Sequence, residues 1–127
     1  MIAKAYLLVV ALLYFALAIW CSTSPATTSE NVSLSLKGGT GKSEFLTVYG
    51  GLEFGIALVL AAACLRDATV NYGLLACILL HGSLVLFRTI SFFMFDDIGG
   101  FTVRLAIGEW LITVVGIAVL LFAPIKS

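Results

Sequence analysis

The sequence predicts an all-α integral membrane protein, folded as an antiparallel four-helix bundle. Two observations of composition and one of pattern lead there. Of 127 residues, 61% are apolar and only 11% charged, whereas soluble domains carry about a quarter charged residues. A mean hydropathy of +1.15 could not be sheltered inside so small a soluble globule. The apolar residues are gathered into four runs, 2–21, 47–65, 71–95 and 101–123. Each is long enough, at ~1.5 Å per residue, to cross a hydrocarbon core of ~30 Å. The seven basic and seven acidic residues cancel, which leaves no electrostatic footprint for nucleic acid.

The first run has the layout of a secretory signal, Lys4 followed by an apolar stretch. Bulky Trp20 before Cys21 fits a lipoprotein cleavage site poorly, and Pro25 sits badly beside the small residues Ser22 and Ser24. Tyr6 and Trp20 read more simply as interface anchors of a retained helix. Because the bilayer interior leaves no water for backbone groups, and no run alternates like a barrel strand, all four runs are expected to be helical. The connectors 66–70 and 96–100 are so short that neighbouring helices must lie antiparallel. Asp67, Thr69 and Asn71 offer caps for the third helix, and Asp97 with Gly99 and Gly100 suits a turn into the fourth.

The stretch 22–43 is the one substantial polar segment, and its Ser, Thr and Gly content reads as a flexible outer loop. Within it, Gly38 to Ser43 imitates the end of a phosphate-binding loop, but Leu36 stands where that motif needs glycine and no nucleotide-fold strand precedes it. Asn31-Val32-Ser33 matches a glycosylation sequon, which has meaning only on a eukaryotic secretory route. Cys21, Cys64 and Cys77 match no zinc or haem spacing and read as small packing residues. His81 is the sole histidine, read as a neutral ring hydrogen-bonded to a neighbouring helix in preference to a proton relay.

The remaining charges are the informative feature. Glu53, Arg88 and Glu109 each interrupt an apolar run, where a charge costs ~2.5–3.5 kcal/mol or more and should face protein or water. Counted from the run ends, all three lie ~9–12 Å below the same surface. The expectation is one polar cluster in which the Arg88 guanidinium sits between two carboxylates, with Arg104 as fourth charge, the Tyr49 hydroxyl within reach, and His81 one heptad beneath Arg88. Such a cluster either locks helix register or binds or moves something. Thr102, Ala106, Thr113 and Gly116 share the Glu109 side of their helix, a small and polar stripe suited to close contact. Gly51 and Gly55 form a second packing pair, about 200° from Glu53 at 100° per residue.

Glu44 followed by Val48-Tyr49-Gly50-Gly51-Leu52-Glu53-Phe54-Gly55, then Arg88 and Glu109, resembles a group of small four-span bacterial inner-membrane proteins of unknown function, related in architecture to the DoxX-like superfamily. The resemblance covers nearly the whole chain except 22–43. It implies a bacterial inner-membrane location and transfers no activity.

With Lys4, Arg66 and Lys126 on the side of the termini against Lys37 and Lys42 opposite, joined by Arg104 if it counts as a loop residue, the lean comes from Asp96 and Asp97 in the opposite connector, and both termini are expected in the cytoplasm. No catalytic, cofactor or metal motif emerges. The leading reading is a non-catalytic accessory, structural or receptor-type membrane protein, whose partners are the lipid bilayer and a second copy or another membrane protein. The alternative is a solute or proton pathway through the charged cluster. A DoxX-like redox or quinone-associated role ranks third.

Overall fold

The computed structural model describes residues 1–122, and everything described is helix, turn or connector. In chain order the elements are α1 (Ile2–Thr23), α2 (Pro25–Asn31), α3 (Gly38–Phe45), a π-helical stretch (Leu46–Leu52), α4 (Glu53–Ala63), α5 (Asp67–Met94) and α6 (Gly100–Phe122). Four helical segments, Ile2–Thr23, Gly38–Ala63, Asp67–Met94 and Gly100–Phe122, are long and apolar enough to cross a membrane. Ala123, the last residue of the fourth predicted run, lies outside the described residues.

The apolar runs become helices, but the polar stretch 22–43 departs from expectation. It carries two short helices joined by the irregular connector 32–37. Pro25 opens α2 at its first turn, where a missing N–H costs nothing. Thr28 and Ser29 are buried, and their hydroxyls donate to the Ser24 and Ala26 carbonyls at 2.9 Å. Gly38 supplies a positive φ of 60° at the start of α3. From there the helix continues unbroken through the π-helical stretch into α4.

The caps expected on α5 are also corrected. Arg66 is the N-cap residue and caps with no side-chain bond. The Thr69 hydroxyl instead reaches back to the Ala63 and Arg66 carbonyls, both at 2.9 Å, satisfying acceptors left over at the end of α4. Asp97 takes a left-handed φ of 57° in the connector before α6, a conformation Asp adopts more easily than most residues.

The core is narrow. On α1 the buried positions Ala3, Leu7, Val10, Ala11, Tyr14, Ala18 and Cys21 recur every three to four residues, the spacing of one helix face. Ala3, Leu7, Val10, Ala11 and Tyr14 form one cluster with Ala57, Leu60 and Ala63 of α4, and Val70, Leu74 and Cys77 of α5. Outward positions are just as apolar, with Leu12, Phe87 and Phe93 all exposed. Between helices of this kind, association comes from close packing and hydrogen bonds, because lipid tails are as apolar as leucine. The small residues at contact points fit that account. A Cβ on Gly116 would lie 2.6 Å from the Tyr6 hydroxyl, one on Gly50 2.6 Å from the Ser22 hydroxyl, and one on Gly73 would collide with the Ala63 side chain.

Candidate functional site

Two helix pairs place the charges. α4 packs chiefly on α1, while α5 packs chiefly on α6. Arg88 of α5 and Glu109 of α6 therefore meet directly: Nε donates to Oε2 at 3.0 Å and Nη2 to Oε1 at 2.6 Å. This fork-on-carboxylate geometry is the strongest form of the ion pair. The pair is mostly buried, with about 27% of the Arg88 side chain and 14% of that of Glu109 exposed. The Thr113 hydroxyl donates to the Glu109 carbonyl at 2.8 Å, and Ala106, Thr113 and Gly116 of the same stripe are buried.

The guanidinium does not bridge two carboxylates. Glu53, at the first position of α4, makes no ion pair with Arg88, and its Oε2 is buried without a hydrogen-bond partner. Glu53 is instead close enough to Tyr14 and Cys21 of α1 to act on them electrostatically. The physical reason is the pairing of helices: Glu53 follows α4 to the α1 side, while Glu109 on the neighbouring α6 takes Nε and Nη2 of Arg88. Arg104 is exposed and joins no ion pair among the described residues. Tyr49 stacks on Phe45 with ring centroids 4.6 Å apart. It reaches Arg88 only at electrostatic range, and its hydroxyl bonds to nothing among the described residues.

His81 is fully enclosed, 1% exposed. Its Nε2 lies 3.1 Å from the Tyr14 hydroxyl of α1, and its Nδ1 lies 2.8 Å from the Cys77 carbonyl one turn earlier. Cys77 Sγ lies 3.4 Å from the Tyr6 hydroxyl, which donates to the Ile112 carbonyl of α6 at 2.8 Å. Polar contacts thus join α1, α5 and α6 through the middle of the molecule. Tyr6 and Tyr14 were legible as aromatics of the first run, but nothing in a single helix's spacing shows that two tyrosines share one face with His81 and Cys77 of another.

Gly51 and Gly55 are corrected as packing residues. A Cβ on either would meet no atom within 4 Å, whereas Gly50 is the glycine held against α1. For Gly51 the wheel drawn at 100° per residue fails because Leu46–Leu52 is π-helical, with one more residue in each hydrogen-bonded ring; Gly55 lies beyond that stretch, on an open face of α4. No group of three or more His, Cys, Asp or Glu side chains that could hold a metal ion occurs among the described residues. Cys21, Cys64 and Cys77 are unpaired. At the other end of the molecule Lys4 Nζ meets Asp67 Oδ1 at 2.7 Å in an exposed pair.

Comparison with family models, with curated proteins and with solved structures finds no match.

Proposed function

We propose that this chain is a small multi-pass protein of the bacterial inner membrane, an antiparallel four-helix bundle with both termini in the cytoplasm, acting without catalysis as an accessory, structural or receptor-type subunit. The observation that carries the non-catalytic reading is the two-point Arg88–Glu109 pair. It ties α5 to α6 through Nε and Nη2, as a device that fixes helix register does. The antiparallel reading is supported by the order of contacts. Lys4 and Phe15 of α1 meet Cys64 and Phe54 respectively, numbers falling as the others rise. Arg88 meets Glu109 while Ile78 approaches Gly116. For orientation, Lys4 and Arg66 belong to one end and Asp96 and Asp97 to the other; Lys126 lies outside the described residues. The bacterial location and DoxX-like kinship rest on the Tyr-Gly-Gly-Leu-Glu segment.

Labelling of single cysteines in intact cells, in a background without the native ones, tests the topology. A cysteine at Ser35 is expected to react with an impermeant reagent and one at Asp67 to be spared; the reverse overturns the orientation. Co-purification from native membranes tests the role: a stable protein partner supports an accessory subunit, and a bound small solute overturns it.

One observation favours a second reading, a solute or proton pathway. The buried, unpartnered Oε2 of Glu53 is a free acceptor beside the Tyr14–His81 contact, and buried ionisable groups inside a bundle mark such pathways. Loss of a cellular phenotype in a fully folded Glu53→Gln protein would favour it.

A further inference from the structure

The polar segment between the first two apolar runs folds around a cavity. About 730 Å³ in volume, it lies between α2, the connector 32–37 and α3, and a cavity of that size takes a small molecule. The segment Gly38–Ala63, at 26 residues, is about 39 Å long and exceeds a ~30 Å hydrocarbon core by about 9 Å. Its polar head, residues 38–43, accounts for that excess, so the cavity belongs to the aqueous side of the bundle.

Backbone contacts hold the walls. The Val32 and Leu34 amides donate to the Ser29 carbonyl at 3.2 and 2.8 Å, and the Ser33 amide donates to the Glu30 carbonyl at 2.9 Å. Ser33 takes a left-handed φ of 57°, a costly conformation for a residue with a side chain, and this turn ties the connector to the end of α2. At the other end the Gly41 amide donates to the Lys37 carbonyl at 3.0 Å. A Cβ on Gly41 would lie 3.3 Å from the Leu36 carbonyl carbon, so the first turn of α3 closes tightly on the connector. Pinned at both ends, the connector gives the cavity a fixed shape.

Two lining residues are charged, Glu30 from α2 and Lys42 from α3. They have opposite signs and line one cavity, yet neither makes an ion pair among the described residues. Pro25, Leu34 and Leu36 supply apolar wall. A plain anion would bring its charge before Glu30, and a plain cation before Lys42. A molecule that carries both charges on an apolar frame suits both walls.

We propose that this cavity binds a small zwitterion of α-amino-acid chemistry, its carboxylate on Lys42, its primary ammonium on Glu30 and its apolar side chain against Pro25, Leu34 and Leu36. A free amino acid and a short peptide share that chemistry. The assignment rests on the receptor-type form of the reading above, to which it gives a ligand class, and it is separate from the intramembrane cluster at Glu53.

The test is equilibrium dialysis of the purified full chain in detergent with radiolabelled L-leucine and, separately, L-leucyl-L-leucine. Saturable binding of either supports the site, and the tighter of the two names the source. Competition by 4-methylpentanoate, which lacks the ammonium, and by 3-methylbutylamine, which lacks the carboxylate, should each be weaker by about tenfold or more, the worth of one charged hydrogen bond. Glu30→Gln should erase the advantage over 4-methylpentanoate, and Lys42→Gln the advantage over 3-methylbutylamine. Both side chains are exposed and unpaired, so the ligand-free melting temperature of each variant should match that of the parent. No saturation by either probe up to about 10 mM, weaker than any specific site of this kind, overturns the proposal, as does equal competition by both analogues. Binding lost in Glu53→Gln and kept in Glu30→Gln and Lys42→Gln moves the solute into the bundle and also overturns it. Failure of the topology shows separately, as the reversed labelling pattern at Ser35 and Asp67.

Discussion

Tyr14 of α1 donates its hydroxyl proton to Nε2 of His81 on α5, across 3.1 Å. The direction follows from the ring's other nitrogen. Nδ1 lies 2.8 Å from the Cys77 carbonyl, which can only accept, so Nδ1 carries the hydrogen and Nε2 is bare. The Tyr6 hydroxyl likewise ends on the Ile112 carbonyl. The Tyr14–His81 series thus ends on the Cys77 carbonyl and the Tyr6 hydroxyl on that of Ile112, two backbone acceptors that pass no proton on, and the arrangement works as a clasp between helices. Tyr14→Phe leaves Nε2 buried without a donor and is expected to cost about 1–3 kcal/mol. Thermal unfolding in detergent measures it. Tyr14→Phe with His81→Leu should recover part of the loss, and nitrogen-15 NMR of the parent should show the Nδ1–H tautomer.

Arg88→Leu strands Glu109 in the α5–α6 contact. Removing one member of a buried pair typically costs ~3–5 kcal/mol. The drop in melting temperature is expected to be large at pH 8 and smaller at pH 5, where the stranded carboxylate can take up a proton. Adding Glu109→Gln should restore most of the stability. Arg88→Lys should fall between, because an ammonium cannot reproduce the two-point contact.

The two carboxylates should respond oppositely to the same substitution. Glu109→Gln removes a paired charge and is expected to lower the melting temperature. Glu53→Gln replaces a carboxylate whose Oε2 has no partner, so stability should be unchanged or raised. An equal loss in both variants would show that Glu53 is paired after all.

Glycine substitutions separate tight contacts from open faces. Gly116→Ala drives a Cβ into the Tyr6 hydroxyl and disturbs its bond to Ile112, an overpacking expected to cost about 1–3 kcal/mol. Gly51→Ala and Gly55→Ala add a methyl to open space and should stay within about 0.5 kcal/mol of the parent. Melting temperatures of the three variants, compared side by side, check the contrast.

What could be read in the chain, and what could not, follows from which physical signals are local. The long apolar segments announce themselves because backbone groups in hydrocarbon leave no choice but helix. The small, polar side of α6 was legible from spacing alone, and Ala106, Thr113 and Gly116 are buried there. Residues 22–43 misled because seven- and eight-residue helices carry too few turns for an apolar period to emerge. Gly50 was passed over for Gly51 because the π-helical stretch rotates that segment away from the standard wheel. The partner of Arg88 depended on which helices pair, a long-range fact, so two equivalent-looking carboxylates were resolved only by tertiary structure.

The π-helical stretch Leu46–Leu52 also makes this part of the chain asymmetric toward changes in length. It holds one residue more than an α-helix needs, so deleting a single residue there would heal the hydrogen-bond ladder. Healing it would leave the helix on either side near its present register, because seven residues at the wider π spacing turn about as far as six α-helical ones, but it would remove the local offset that holds Gly50 against Ser22 and Phe45 on Tyr49. The segment is therefore globally forgiving of losing one residue and locally exacting about which contacts it makes with α1.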